Sequence, residues 1–320
     1  MLLFLGTGFL MWSLARVFPG TRQPDAYGRA SGESGDFAFF HVQKLSSSYF
    51  HGRAPGTQGG NRAAQYLAGQ FQKFGLKPGG ERGTYYQTVE GPSFKLVRQD
   101  YRWKPQVLEE RALESENVLG FLGPGEISPE KSTIIVSAHY DHLGTLNGDF
   151  FPGANDNASG LGVLLEVARV LGNRATVPKH QVLFAAWTFE EEGLYGSTFF
   201  TSAFPFHKVQ AVINLDSLGN GAPRDFLLWT HQAENPLIPL VTRTGDRLGL
   251  RFRSRVLSPD TPHTSDHQPF GERGIPAVTI LSPNWLERNH TLRDTKDQIN
   301  INKLENATKL VIGVLEELAY

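Results

Sequence analysis

Imidazole and carboxylate side chains recur in this chain just past apolar runs, and such groups together can hold a hard or borderline cation. The first set lies in Ser137–Gly160, which reads SAHYDHLGTLNGDFFPGANDNASG and carries His139, Asp141 and Asp156. In an extended chain residues i and i+2 face the same way, so Asp141 is placed to accept the second N–H of His139 and fix its tautomer. A carboxylate at Asp156 could bridge two cations. Glu190-Glu191-Glu192 follows the apolar run Val182–Trp187 with no basic neighbour, so these acids need a counter-charge. Asp216 follows Val212–Leu215, and His290 sits in Asn289-His290-Thr291-Leu292-Arg293-Asp294-Thr295. Taken singly, each has an ordinary explanation as a helix cap, a charged helix start or a surface histidine. Convergence decides between the readings. Strand ends of one parallel sheet lie along one edge, so His139, Asp156, Glu191 and Asp216 can meet there, whereas independent caps have no reason to bunch. The chain has no cysteine, so any metal site must use His and carboxylates. Without a Cys nucleophile or a GxSxG elbow, an acyl-enzyme route lacks its parts.

The elements that must position these groups follow from apolar spacing. Helices are expected at Phe37–Leu45, from a cap at Asn61 to Gly75, and at Ser159–Leu171, Gly193–Thr201, Asn235–Leu248 and Ile301–Leu318. Short strands are expected at Tyr85–Val89 and Phe94–Leu96, with Val107–Glu114 ambiguous. Further strands are expected at Asn117–Leu122, Thr133–Val136, Gln181–Trp187, Val209–Leu215, Phe226–Thr230 and Ala277–Leu281. Strands alternating with helices predict an α/β fold: a three-layer α/β/α sandwich around a mostly parallel mixed sheet.

The 320 residues suffice for one large α/β domain, or for a core domain with an N-terminal elaboration. A net charge of -1 and the lack of a long basic run argue against nucleic acid as a partner. Leu2–Leu14 is apolar and Pro19-Gly20 ends the pattern, so residues 1–18 read as a signal peptide or membrane anchor. No basic residue precedes the run and no clear cleavage site follows it, yet export remains the expectation, to a periplasmic, extracellular or membrane-anchored place. Residues 19–36 read as a linker, and 37–320 as the catalytic domain.

In this order HYD, GANDNASG, FEEEGLYGS, NLDSLG, SDHQPF and NHTLRDT resemble the zinc-dependent aminopeptidases of the bacterial leucyl-aminopeptidase and Streptomyces-aminopeptidase type. The resemblance runs from about Phe37 to the C-terminus, because RAPGTQGG, FGLKPGG and TYYQ also look like bacterial members. The space between Phe94 and Asn117 is too small for the protease-associated insert of some relatives. The resemblance implies a zinc-exopeptidase domain with two Zn²⁺ per chain, one held by His139 and Asp216, the other by Glu191 and His290, with Asp156 bridging. It implies Glu190 as general base, Asp141 as the group orienting His139, and a supporting role for Asp266. The match of Trp187 and Gly193–Ser197 selects Glu190 and Glu191 and leaves Glu192 variable. The implied activity is hydrolysis of the N-terminal amino acid from peptides with a free N-terminus. Glu190 would take the proton of the attacking water and return it to the leaving amine. Relatives often carry Tyr before the late His; this chain has Asn289, so Tyr195 or His267 is expected to take over its task, or turnover to be lower.

The alternative within the fold is a glutaminyl-peptide cyclotransferase-like enzyme with one zinc. An inactive binding ectodomain is the alternative outside catalysis. The Asn155–Gly160 and Gly193–Ser197 runs favour the hydrolase, and the intact ligand set argues against lost activity. Phe204, Phe206, Trp229 and Trp285 are aromatic candidates for a specificity pocket, though each reads equally as core.

Overall fold

The computed structural model of the chain describes residues 34–125, 128, 131–203, 208–258, 261 and 263–320. The apolar run Leu2–Leu14 lies outside them, as do Phe204 and Phe206. In chain order the elements are α1 (Ser34–Leu45), α2 (Gln58–Lys73), β1 (Lys77–Pro78), β2 (Tyr86–Gln99), β3 (Arg102–Leu122), β4 (Thr133–His139), β5 (Thr145–Leu146), β6 (Asp149–Phe150), α3 (Gly160–Gly172), β7 (Gln181–Trp187), α4 (Tyr195–Ala203), β8 (Val209–Leu215), β9 (Asp225–Thr230), α5 (Leu237–Arg247), β10 (Arg251–Val256), α6 (Gln268–Gly271), β11 (Ala277–Leu281) and α7 (Ile301–Ala319).

One mixed sheet runs β1-β3-β7-β4-β8-β11-β9-β10, with β2 paired to β3. The centre is parallel, β7 to β4 to β8 to β11. The pairs β3–β7 and β11–β9 are antiparallel, while the edge pair β9–β10 is parallel again. Alternate residues feed two cores, as the two-residue period of a strand requires. Ile134, Val136, Phe184 and Ile213 join the core with α1, α2, α3 and α7, while Ile135, Leu183 and Trp187 pack with Phe200 of α4 and Phe270 of α6. The layers are thus helices, sheet, helices.

Four expectations need correction. Helix α1 opens at Ser34, inside the stretch read as linker. Asp36 favours its first turn, and Gly35 allows close approach to α7, since a Cβ there would meet the Ile301 carbonyl at 2.6 Å. Helix α2 is capped by Thr57, not Asn61: the Thr57 hydroxyl accepts the Gly60 N–H at 3.2 Å. The two short strands expected before residue 97 are one strand, β2. Pro92 does not break it because β2 pairs only with β3, and a register shift between Pro92 and Ser93 absorbs the irregularity. Strand β10 was not anticipated, because RFRSRV carries three arginines and no apolar run.

Candidate active site

The carboxyl ends of β4, β7 and β8 converge. β4 ends on His139, the loop after β7 carries Glu190–Glu192, and Asp216 follows β8. Before α3 the chain makes a wide turn, Ala154–Ser159, in which Asp156 leaves helical geometry (φ -109, ψ 98). Its carboxylate faces two imidazoles. His139 Nε2 lies 3.4 Å from Asp156 Oδ1 and 3.7 Å from Asp216 Oδ1. His290 Nε2 lies 3.1 Å from Asp156 Oδ2 and 2.8 Å from Glu191 Oε2. Ligands on a tetrahedral zinc ion stand roughly 3.3 Å apart, so these spacings suit the metal. The donors form two groups sharing Asp156: His139, Asp156 and Asp216, and His142, Asp156, Glu191 and His290, with the donor atoms of each group within 4.8 Å of one another.

The imidazoles are aimed from behind. His290 Nδ1 lies 2.9 Å from the Trp103 carbonyl and donates to it, which leaves the Nε2 lone pair for the site. For His139 the nearer acceptor is the Asp141 main-chain carbonyl, 3.3 Å from Nδ1, with the Asp141 carboxylate at 3.9 Å. That carboxylate accepts the Glu191 N–H at 3.2 Å instead, and so holds the glutamate loop. Ser265 donates its hydroxyl to Asp216 at 2.8 Å and accepts from Asn214 at 2.8 Å. Asp266 accepts from Ser197 at 2.6 Å and lies outside the cavity wall.

Several residues that sequence reasoning passed over hold the site. His142 Nδ1 is 2.8 Å from Glu191 Oε1; its spacing of three from His139 was the available signal. Asp294 accepts the N–H groups of Asn155 at 2.8 Å and Asp156 at 3.0 Å. Arg53, fully buried, donates to the carbonyls of Leu45, Tyr140, Pro152 and Gly153 at 2.7, 2.8, 2.9 and 2.9 Å. Gly153 must be glycine: its φ is +54, and a Cβ would sit 2.3 Å from the Asp156 carbonyl. Asn289 donates to Asp156 Oδ2 and accepts from Arg102 Nη1 at 2.7 Å. Neither Tyr195 nor His267 lines the cavity.

The electrostatics divide the acids. Burial lifts the Glu190 carboxyl well above its ordinary range; His139 opposes this, and Glu191, Asp266 and Asp216 add to it. Burial would lift Glu191 too, but His290 and His142 outweigh it and hold that pKa at about 2. Burial works against charge on His290, yet Glu191 and Asp156 raise its pKa to about 10. Burial likewise opposes charge on His139, and Glu190, Asp156 and Asp216 overcome it. Buried carboxylates crowded on three imidazoles need further positive charge. A dication on an all-nitrogen-and-oxygen donor set supplies it, so the residues fit zinc.

Fold and donor set define the class: an α/β/α protein with two groups of candidate metal donors sharing one carboxylate at its strand ends. The sequence profile of Peptidase family M28 matches residues 117–315, more than half of the chain, and the chain belongs to that family. Aminopeptidase YwaD of Bacillus subtilis is 31% identical over 214 residues, covering 63% of this chain and 44% of the relative. The chain therefore spans less than half the length of that curated relative. Among solved structures, a zinc aminopeptidase from Bacillus subtilis superposes with a TM-score of 0.71 at 18% identity, over 89% of this chain and 95% of that one. Glutaminyl cyclase of Porphyromonas gingivalis superposes with a TM-score of 0.64 at 23% identity, over 89% and 99% of the two chains. At such identities the likeness establishes the shared fold.

Proposed function

We propose that this chain is a di-zinc aminopeptidase that removes the N-terminal amino acid from peptides. The observation that carries the reading is the shared Asp156, whose two oxygens face His139 and His290 in separate donor groups. Two complete groups favour two ions over the single zinc of a cyclase reading. His139 and Asp216 would hold one ion, Glu191 and His290 the other, with Asp156 between them and His142 beside the second. Zinc there supplies Lewis acidity toward a carbonyl oxygen and lowers the pKa of water toward about 7. Glu190 lines the cavity with its carboxylate 4.0 Å from His139 Nε2. Its raised pKa suits it to take a proton from the attacking water and return it to the leaving amine. Glu191 stays ionised, so adjacent glutamates serve different ends because their surroundings differ. The acids of this centre would also receive the substrate's free α-amino group, which makes the reaction an exopeptidase one.

The test is a paired assay on the purified, zinc-supplied chain with leucine p-nitroanilide and an N-terminal Gln peptide, and zinc counted on the same sample. Amide hydrolysis with two zinc ions, abolished by chelation, is the expected result. Glu190→Gln should slow turnover by roughly 10²- to 10⁴-fold with the zinc count unchanged. Pyroglutamate formation with one zinc would move the protein to the cyclases. Neither reaction, with zinc bound, would leave a binding ectodomain. Export or membrane attachment through Leu2–Leu14 is part of the proposal, and cell fractionation tests it. Among the described residues no helix is long and apolar enough to cross a membrane.

A further inference from the structure

The catalytic cavity is lined by two cations as well as by its acids. Arg102 and Lys104, two apart on β3, line the same cavity, of about 270 Å³, as His139, Glu190 and Asp216. Both are half-buried. Arg102 gives one N–H to Asn289, and neither cation forms an ion pair with a carboxylate among the described residues. A partly desolvated cation facing a cavity without a counter-ion is an unsatisfied group.

The cationic lining continues beyond this cavity. His263 and Trp285 are shared with a second cavity of about 520 Å³, walled by Arg253 and Arg255 of β10 beside Trp229 and Leu257. Among the described residues no Asp or Glu is part of its wall. Burial holds the His263 imidazole below its ordinary value, and Arg102, Lys104 and His290 add to it.

A substrate whose amino group is held among the acids has the rest of the cavity wall, Arg102 and Lys104 included, for its leaving half. The group that satisfies a guanidinium and an ammonium together is a carboxylate, through charge-assisted hydrogen bonds, two of them parallel on the arginine. The catalytic cavity lies at the small end of ligand pockets, so that carboxylate is met within about one or two residues of the scissile bond. We propose that Arg102 and Lys104 form a carboxylate subsite for the leaving half of the substrate, extended by Arg253 and Arg255. The subsite makes short peptides, and peptides with Asp or Glu just past the scissile bond, the preferred substrates. The inference rests on the aminopeptidase reading.

The experiment compares Leu-Gly, Leu-Gly-amide and Leu-Glu-amide on the zinc-loaded chain. At low salt kcat/KM for at least one carboxylate-bearing peptide should exceed that of Leu-Gly-amide about tenfold or more, and the gap should shrink at high salt. Preference for Leu-Gly alone assigns the subsite to a C-terminal carboxylate; preference for Leu-Glu-amide alone assigns it to a side chain. In Lys104→Met, and in the double variant Arg253→Gln with Arg255→Gln, the ratio should fall toward one. Arg102 is left in place because its bond to Asn289 reaches Asp156. Calorimetry of Leu-Gly and its amide on zinc-loaded Glu190→Gln gives a readout without turnover. Equal affinities and equal kcat/KM overturn the subsite and leave the aminopeptidase reading standing. A carboxylate-dependent affinity with no hydrolysis by the parent chain sustains the subsite and sinks the aminopeptidase reading.

Discussion

Arg53 meets no solvent and pairs with no carboxylate among the described residues, yet the turn that carries Asp156 hangs on it. Its guanidinium collects carbonyls from the end of α1, from Tyr140 just past β4 and from the turn before Asp156. Burial lowers its pKa to about 10 while Asp294 and Asp156 sustain the charge, so at neutral pH it remains a cation. Arg53→Met would leave the carbonyls of Leu45, Tyr140 and Pro152 unpaired, each at roughly 1–3 kcal/mol, while Gly153 keeps the Ala158 N–H at 3.1 Å. The expected loss is about 3 kcal/mol or more, a large share of a typical domain's stability. Arg53→Lys should recover only part, because an ammonium cannot reproduce the planar fork. Urea unfolding checks both; a methionine variant within about 1 kcal/mol of the parent would mean these bonds hold nothing. The sequence shows why such a residue escapes notice. Its partners are main-chain atoms up to 100 residues away, which no side-chain motif encodes. The ligand candidates were readable because strand ends bring them together whatever lies behind them.

Among the elements, the β2–β3 hairpin has the least visible task. Its strands run Tyr86–Gln99 and Arg102–Leu122, and residues next to its tip bond the loop that carries Asn289 and His290. Trp103 donates its N–H to the His290 carbonyl at 3.0 Å and takes a bond from the His290 ring, while Arg102 holds Asn289. His290 itself sits in the left-handed region, at φ 57, a conformation that surroundings must enforce. The sequence predicted fragments here because an edge strand with one wetted face carries a weak apolar signal. Removing Phe94–Val107 and closing the Ser93–Leu108 pair with an Asn-Gly turn would cut away the tip and keep the rest of the ladder. The shortened protein should still melt cooperatively but bind nearer one zinc ion than two, because His290 loses its aim. Metal analysis beside calorimetry decides; an unchanged count would show that the loop sets His290 unaided.

Across the whole molecule, the central strands were legible because burial on both faces leaves a continuous apolar run. β7, β8 and β11 keep the bounds that spacing predicted, whereas both sheet edges departed from it. Burial that makes strands legible also makes distant titratable groups oppose one another. His41 of α1 is buried with Nδ1 2.6 Å from the Tyr66 hydroxyl. Burial, with Lys73 and Arg169, lowers its pKa from 6.5 to about 3. Below pH 6.5 the unfolded chain binds a proton there that the folded chain refuses. The stability this group contributes is therefore present above 6.5 and lost as pH falls toward 3, at about 1.4 kcal/mol per unit. Asp266 has the opposite sign: burial raises it from 3.8 to about 7, so the folded chain takes up a proton first and gains stability as pH falls through that window. The two trends have opposite signs from about pH 4 to 6.5, so the parent protein alone would not separate them. His41→Gln keeps a partner for Tyr66 and removes one trend. Relative to the parent, its unfolding free energy should rise by about 1.4 kcal/mol for each pH unit from 6.5 down to 4. Urea titrations in chelator, where metal release plays no part, measure that difference. A gap independent of pH would mean that His41 accepts its proton inside the fold.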